Sequence, residues 1–102
     1  MSKTISVEHF AALDRLLEIA ERDNGQSRRV RNFLFAWWNA VELGGFDFTD
    51  FWSVDTEIAR DMLAVLEVIV WVARYPDNLG YGKQFEKLVT CWRPSAGSTE
   101  LD

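Results

Sequence analysis

Apolar residues recur at every third or fourth position over four stretches of the chain, which is the spacing of one buried helix face. Breaking residues bound these stretches: the Asn24-Gly25 pair follows the first, and Pro94 follows the last. The pattern therefore predicts four α-helices, over residues 7–23, 28–44, 54–74 and 83–93.

The third predicted helix carries the widest apolar arc. Its core face runs from Ile58 to Ala73 at helical spacing, and Leu63 and Val70 widen that face to about half of the circumference. An arc of this width predicts contact with two or three other helices. The opposite side of this helix is charged and carries one large ring, from the residues Arg60, Glu67, Trp71 and Arg74.

An aromatic connector, residues 45–53, joins the second and third predicted helices. Its sequence is Gly-Phe-Asp-Phe-Thr-Asp-Phe-Trp-Ser, which is too short and too isolated to build a sheet. We expect an ordered loop with one helical turn after Thr49, whose rings close the end of a helix bundle. The predicted fold is all-α, a compact bundle of about four helices. We expect residues 1–94 to form its single domain and residues 95–102 to form a flexible C-terminal tail.

Composition agrees with a small folded domain. The 102 residues are 48% hydrophobic and 14% aromatic, which excludes a disordered chain. Cys91 is the only cysteine, so no disulfide forms within the chain. Residues 1–8 lack the apolar segment of a signal peptide, and the longest apolar run, residues 68–73, is far too short for a membrane span. We expect a cytoplasmic location without membrane contact.

Candidate catalytic and metal-binding groups are sparse. A Cys–His dyad would require His9, the only histidine, to meet Cys91 from the far end of the chain. The carboxylates near the connector lack the alternating spacing of a calcium loop. The Gly80–Lys83 segment resembles a phosphate loop, but Gln84 follows where Ser or Thr is needed. We therefore predict no enzyme activity, no metal and no cofactor.

The charge distribution leaves nucleic-acid binding as the alternative hypothesis. Arg28, Arg29 and Arg31 cluster at the start of the second predicted helix, where they could contact a phosphate backbone. The net charge of −5 argues against this, since phosphate contacts need Lys and Arg. These arginines could instead pair with the acidic segment that surrounds the connector.

Three large rings indicate an interaction surface. Phe35, Trp38 and Trp71 lie where a helical wheel predicts solvent, and Trp71 is flanked by charged residues typical of interfaces. The alternative is that neighbouring elements cover the second helix on both sides, which would bury Phe35 and Trp38. The predicted surface consists of Phe35, Trp38, Trp71, Arg60, Glu67 and Arg74. The expected partner is a protein, either a different one or a second copy of this chain in a homodimer.

Short motifs are spread over most of the chain: Trp37-Trp38-Asn39-Ala40, Gly44-Gly45-Phe46-Asp47, Thr49-Asp50 with Trp52, Val54-Asp55, Tyr75-Pro76-Asp77, Leu79-Gly80-Tyr81-Gly82 and Trp92-Arg93-Pro94. Together they resemble an uncharacterised family of small proteobacterial proteins that are often encoded on conjugative or integrative mobile elements. The resemblance implies a setting, accessory cargo of a mobile element, and transfers no activity. The leading hypothesis is a non-enzymatic protein that binds other proteins, for example an inhibitor of a CRISPR effector. A small nucleic-acid-binding regulator is the alternative.

Overall fold

A computed structural model describes residues 4–94, and that part of the chain contains four α-helices and no β-strand. Two 3₁₀-helices, Phe48–Trp52 and Pro76–Leu79, lie in the connections before and after the third α-helix. The predicted all-α fold is confirmed. The predicted tail, residues 95–102, lies outside the described residues. The helices are α1 Val7–Ala20, α2 Gly25–Leu43, α3 Thr56–Val72 and α4 Gly82–Trp92.

Side-chain caps define the starts of α1 and α2. The Ser6 hydroxyl accepts a hydrogen bond from the Glu8 N–H, and the His9 Nδ1 accepts one from the Ser6 N–H, which together satisfy two free donors. The Asn24 carboxamide oxygen accepts from the Ser27 N–H at 2.8 Å. Asn24, which the sequence marks as the end of the first helix, is thus the N-cap of the second. As a result, α1 ends three residues early and α2 begins three residues early.

The core lies between the four helices, all of which contribute side chains to one buried cluster. α1 makes its most extensive contact with α3, while α4 packs on α2 and on the 3₁₀-helix that precedes it. Burial of these apolar side chains supplies the main driving force for folding. The buried cluster consists of Leu13, Leu16, Leu17, Ala20, Val30, Phe33, Leu34, Phe35, Leu43, Met62, Val65, Phe85, Leu88 and Val89.

α2 is kinked at Asn39. Asn39 has a non-helical backbone (φ −155°, ψ 80°), and its side-chain oxygen accepts from the Glu42 N–H, so the last turn starts afresh there. Because the kink breaks the 3.6-residue period, the residues beyond it change sides. Val41, which falls on the apolar face of an unbroken helix, is 95% exposed, and Leu43 is buried instead.

The side of α2 that looks polar in the sequence is also buried, and this corrects the prediction for two rings. Phe35 is 0% exposed, so its placement on an interaction surface is wrong. Trp38 is half-buried, with its ring 5.6 Å from that of Phe85 in α4. The reason is that α2 contacts both α1 and α4, and a helix covered on two sides has no single buried stripe.

Ala73 ends α3 in a left-handed conformation (φ 59°, ψ 46°) that favours glycine. We expect Ala73→Gly to raise the free energy of unfolding by about 0.5–1 kcal/mol, because it relieves the contact between Cβ and the backbone. Urea denaturation measures the change. Ala64→Gly, in the middle of the same helix, is the control and should lower stability by about 1 kcal/mol. A loss of stability in both variants would contradict this account.

Candidate protein-binding surface

A row of apolar and charged side chains, here called the α3 stripe, runs along the outer side of α3. Its large apolar members are strongly exposed: Leu63 by 56%, Val70 by 58% and Trp71 by 41%. Spacings of three and four residues place Arg60, Leu63, Glu67, Val70 and Trp71 on one side of the helix, over about 16 Å. These five residues are the α3 stripe, and Arg74 follows the end of α3, beyond the left-handed Ala73.

The sequence predicts that α3 contacts two or three other helices; it packs on α1 and on the 3₁₀-helix Phe48–Trp52, but its wide apolar arc is left uncovered on this side. α3 buries Met62, Val65 and Val68, and α1 is the helix with which it has its main contact. No other helix of the described part covers Leu63 and Val70, which stay more than half exposed. The stripe is therefore wider than the charged strip that the sequence pattern outlines.

Two polar contacts between α1 and α3 lie beside the stripe. The Arg15 guanidinium donates two hydrogen bonds to the Asp61 carboxylate, each at 2.9 Å. The His9 Nε2 lies 2.6 Å from a carboxylate oxygen of Glu67. Because the His9 Nδ1 accepts from Ser6, its Nε2 carries the proton and donates to Glu67. One ring nitrogen of His9 thus belongs to the N-cap of α1, and the other contacts α3.

Most of the predicted surface residues of α3 come together. Arg60, Glu67 and Trp71 line one shallow hollow with Leu63 and Val70. Arg74 lies in the next hollow, which it shares with Trp37 of α2 and Tyr75, and its carbonyl oxygen accepts from the Trp37 indole N–H at 3.1 Å. Phe35 and Trp38 line neither of these hollows.

A second apolar surface, here called the aromatic groove, opens between α2, the connector and α3. It has a volume of about 600 Å³, and five of its eight lining side chains are aromatic rings. Leu66 of α3 lines both the groove and the hollow of the α3 stripe, so the two surfaces are continuous. The lining residues are Phe33, Ala36, Trp37, Phe46, Phe48, Phe51, Leu66 and Ile69.

The connector rings play two roles, where the sequence predicts only that they close the bundle. Phe46 and Phe51 pack edge-on against Phe33 of α2, with ring centroids 5.3 and 5.9 Å from it. Phe48 and Trp52 instead face solvent, with exposures of 81% and 80%. The helical turn predicted after Thr49 is confirmed as the 3₁₀-helix Phe48–Trp52, which begins one residue before Thr49.

Polar contacts fix the connector along α2. Asp47 begins the 3₁₀-helix, because its carboxylate accepts from both the N–H and the hydroxyl of Thr49 at 2.8 Å. These hydrogen bonds lower the pKa of Asp47 below its ordinary value, so the side chain stays ionised. Asp50 lies 3.3 Å from the guanidinium of Arg29, near the start of α2. The connector therefore holds a fixed position that leaves Asp47 at the surface.

The three arginines predicted as a nucleic-acid contact do not form one surface. Arg31 is buried, and its Nη1 donates to the carbonyl oxygens of Ala20 and Arg22, at 2.9 and 2.6 Å. Arg29 pairs with Asp50, as the sequence allowed. Arg28 is the exposed member of the three. Arg31 is thus a cap for the C-terminus of α1, and its prediction as a nucleic-acid contact is corrected.

The remaining candidate chemistry is dispersed. Cys91 is an exposed free thiol on α4, while His9 is bonded to Ser6 and Glu67. Residues 4–94 contain no group of three or more His, Cys, Asp or Glu side chains that could hold a metal ion. Over the same residues, no helix combines the length and apolar character that crossing a bilayer requires.

Leu63, Val70 and the groove rings are the candidate binding residues that sequence reasoning missed. The apolar arc of α3 contained the signal for the first two, because it was wider than one neighbouring helix can cover. The density of rings in residues 45–53 pointed to the groove, although the pattern could not tell a plug from an opening.

Comparison with known proteins places the chain in a family without an assigned activity. No curated protein and no solved structure shows significant similarity to it. Residues 10–93 match a family of unknown function (DUF7673), and this range spans all four helices except the first turn of α1. Because the match covers most of the chain, the protein belongs to the DUF7673 family.

Proposed function

We propose that this protein acts by binding another protein, without catalysis, through the α3 stripe. The observation that carries the proposal is the row of Leu63, Val70 and Trp71, which stay exposed side by side on one helix. Contiguous exposed apolar side chains framed by charges are typical of interaction sites. Trp and Arg are also the residue types that most often dominate binding energy at interfaces.

The order of charges along the stripe indicates what the partner presents. Arg60 and Glu67 are seven residues apart, about two helical turns, so a positive and a negative charge follow one another along one side of α3, and the positive charge of Arg74 lies in the next hollow beyond the end of the helix. A partner with the order acidic, basic, acidic would match it, and the matching charges would set the register.

A homodimer through the stripe is the less favoured form of this proposal. In an antiparallel pair centred on Glu67, each Glu67 faces the other, which places like charges together. A shifted register could pair Glu67 with Arg60 across the axis. Light scattering after size exclusion gives the mass directly. We expect a monomer, and a stable dimer that Glu67→Arg disrupts would support self-association instead.

We propose that the protein is accessory cargo of a mobile element and that it inhibits a host defence complex. Support comes from the motif resemblance and from the acidic segment around the connector, where six carboxylates accompany only Arg60 between residues 42 and 61. Acidic surfaces on small proteins can occupy the basic channels of nucleic-acid enzymes, since their fields are complementary.

Site-specific photo-cross-linking tests the stripe. A photoreactive amino acid at position 63 is expected to cross-link one defined partner in host cells, because Leu63 is exposed within the stripe. The same probe at position 41 is the matched control, since Val41 is equally apolar and lies on α2 outside the stripe. Mass spectrometry identifies the adducts. The same adducts at both positions, or none at position 63, would contradict the proposal.

Once a partner is identified, alanine substitution measures the contribution of the stripe. We expect Trp71→Ala to weaken binding at least about tenfold, because central aromatic anchors typically contribute more than 1 kcal/mol. Val41→Ala should leave the affinity unchanged. Calorimetry gives the affinity, and circular dichroism verifies that each variant is folded. Unchanged affinity in a folded Trp71→Ala variant would show that the ring lies outside the interface.

A further inference from the structure

The aromatic groove offers a ligand apolar contact and almost no hydrogen bonds. Its eight lining residues expose nearly no polar surface, and the Trp37 indole N–H, the natural donor of such a groove, is already bonded to the Arg74 carbonyl oxygen. A segment that binds there must satisfy its own backbone groups, because unpaired N–H and C=O groups are costly away from water. An α-helix meets this requirement, whereas an extended or polyproline segment needs partners from the groove.

Charges around the groove differ between its two ends. At the connector end, the exposed Asp47 separates the lining residues Phe46 and Phe48, and its carboxylate stays ionised. At the other end, Arg74 occupies the neighbouring hollow, which shares Trp37 and Ile69 with the groove. A helix has a positive N-terminus and a negative C-terminus, so its dipole matches this arrangement when its N-terminus lies near Asp47.

We propose that the aromatic groove binds an amphipathic helix of a partner protein, with large apolar side chains in the groove and Lys or Arg near Asp47. This inference rests on the proposed function in that the protein acts by binding, and it names a second surface and the chemistry of its occupant. A second copy of the chain fits poorly, because acidic connectors would then face each other across the interface.

Binding of two model peptides to the full chain tests the charge requirement. Both are helices of about five turns with the same Leu and Phe face; one carries Lys on its polar face and the other Glu. We expect the Lys peptide to bind at least tenfold more tightly, with calorimetry as the measurement. Asp47→Asn, which retains an oxygen to accept from Thr49, should reduce that preference. Equal binding of both peptides, or of neither, would overturn the proposal.

Two exposed rings of the connector provide a matched pair for the groove itself. Phe48 lines the groove and Trp52 does not, yet they are equally exposed and neither belongs to the buried core cluster. We expect Phe48→Ala to weaken the Lys peptide at least tenfold and Trp52→Ala to leave it unchanged. An equal effect of both would place the peptide elsewhere on the connector. A dimer that Phe48→Ala dissociates would show that a second copy fills the groove.

The two proposals fail in different ways. Trp71→Ala tests the α3 stripe and should not alter binding of the Lys peptide, because Trp71 is not among the groove residues. If the peptide binds in the groove while position 63 captures nothing, the stripe proposal is wrong and the groove proposal stands. If position 63 captures a partner while the peptide does not bind, the groove proposal is wrong and the stripe proposal stands.

Discussion

Replacement of Phe35 by alanine is expected to lower the free energy of unfolding by about 3–5 kcal/mol, the usual cost of deleting a buried ring. Phe35 is 0% exposed and belongs to the main core cluster, so truncation leaves a cavity between packed helices. A domain of this size is stable by roughly 5–15 kcal/mol, so the loss is a large fraction of the total. Urea denaturation followed by circular dichroism gives the value.

Trp71→Ala is the control for this change, since it also deletes a large ring. Trp71 is 41% exposed, and we expect its removal to cost much less, about 1 kcal/mol, because much of its surface is already in water. The contrast distinguishes a buried ring from an exposed one at two positions that the helical wheel places alike. If Phe35→Ala lowered stability as little as Trp71→Ala does, Phe35 would not be a core residue.

The helices with one buried face are the part of the fold that could be predicted from the sequence. In α4, Phe85, Leu88 and Val89 lie on the predicted apolar face and are all buried. The core face of α3 is likewise confirmed at Met62 and Val65. In both helices the neighbours lie on one side, so the period of the apolar residues reports the buried direction directly.

α2 could not be predicted in the same way, for two physical reasons. It has neighbours on two sides, so the face that carries Phe35 and Arg31 is buried although its composition looks polar. The kink at Asn39 then changes the direction of the last turn, which brings Val41 to the surface. The spacing of apolar residues reveals neither cause. The first depends on elements that are distant in sequence, and the second depends on the backbone conformation of one residue.

The candidate surface was predicted in its charges and in Trp71 but not in its extent. Arg60 and Glu67 lie where the helical wheel places solvent, and they are exposed. Leu63 and Val70 were expected to be covered, because an apolar residue at the edge of a wide arc normally meets another helix. Whether such a helix exists depends on how many helices the fold places around α3. That number follows from tertiary packing and not from the pattern of α3.

Arg31 shows how a charged residue can hold a small fold together, and Arg31→Ala is expected to destabilise it by about 3 kcal/mol. Its guanidinium donates to two carbonyl oxygens at the C-terminus of α1 and stacks on the ring of Trp92 in α4, 3.7 Å from the ring centroid. One side chain of α2 thereby connects α1 to α4. Burial lowers the pKa of Arg31 from its ordinary value, and the carbonyl oxygens and the ring compensate the charge.

Two substitutions isolate the cause of that effect. Arg31→Lys keeps the charge but replaces a planar group that stacks on Trp92 with a compact ammonium, so we expect it to recover only part of the stability. Arg28→Ala removes an exposed arginine one turn earlier and should change stability by less than about 0.5 kcal/mol. Urea denaturation of the three variants at neutral pH measures the order. If Arg31→Ala were as stable as Arg28→Ala, the guanidinium would not be the link between α1 and α4. The correction of Arg31 as a nucleic-acid contact would then lose its basis.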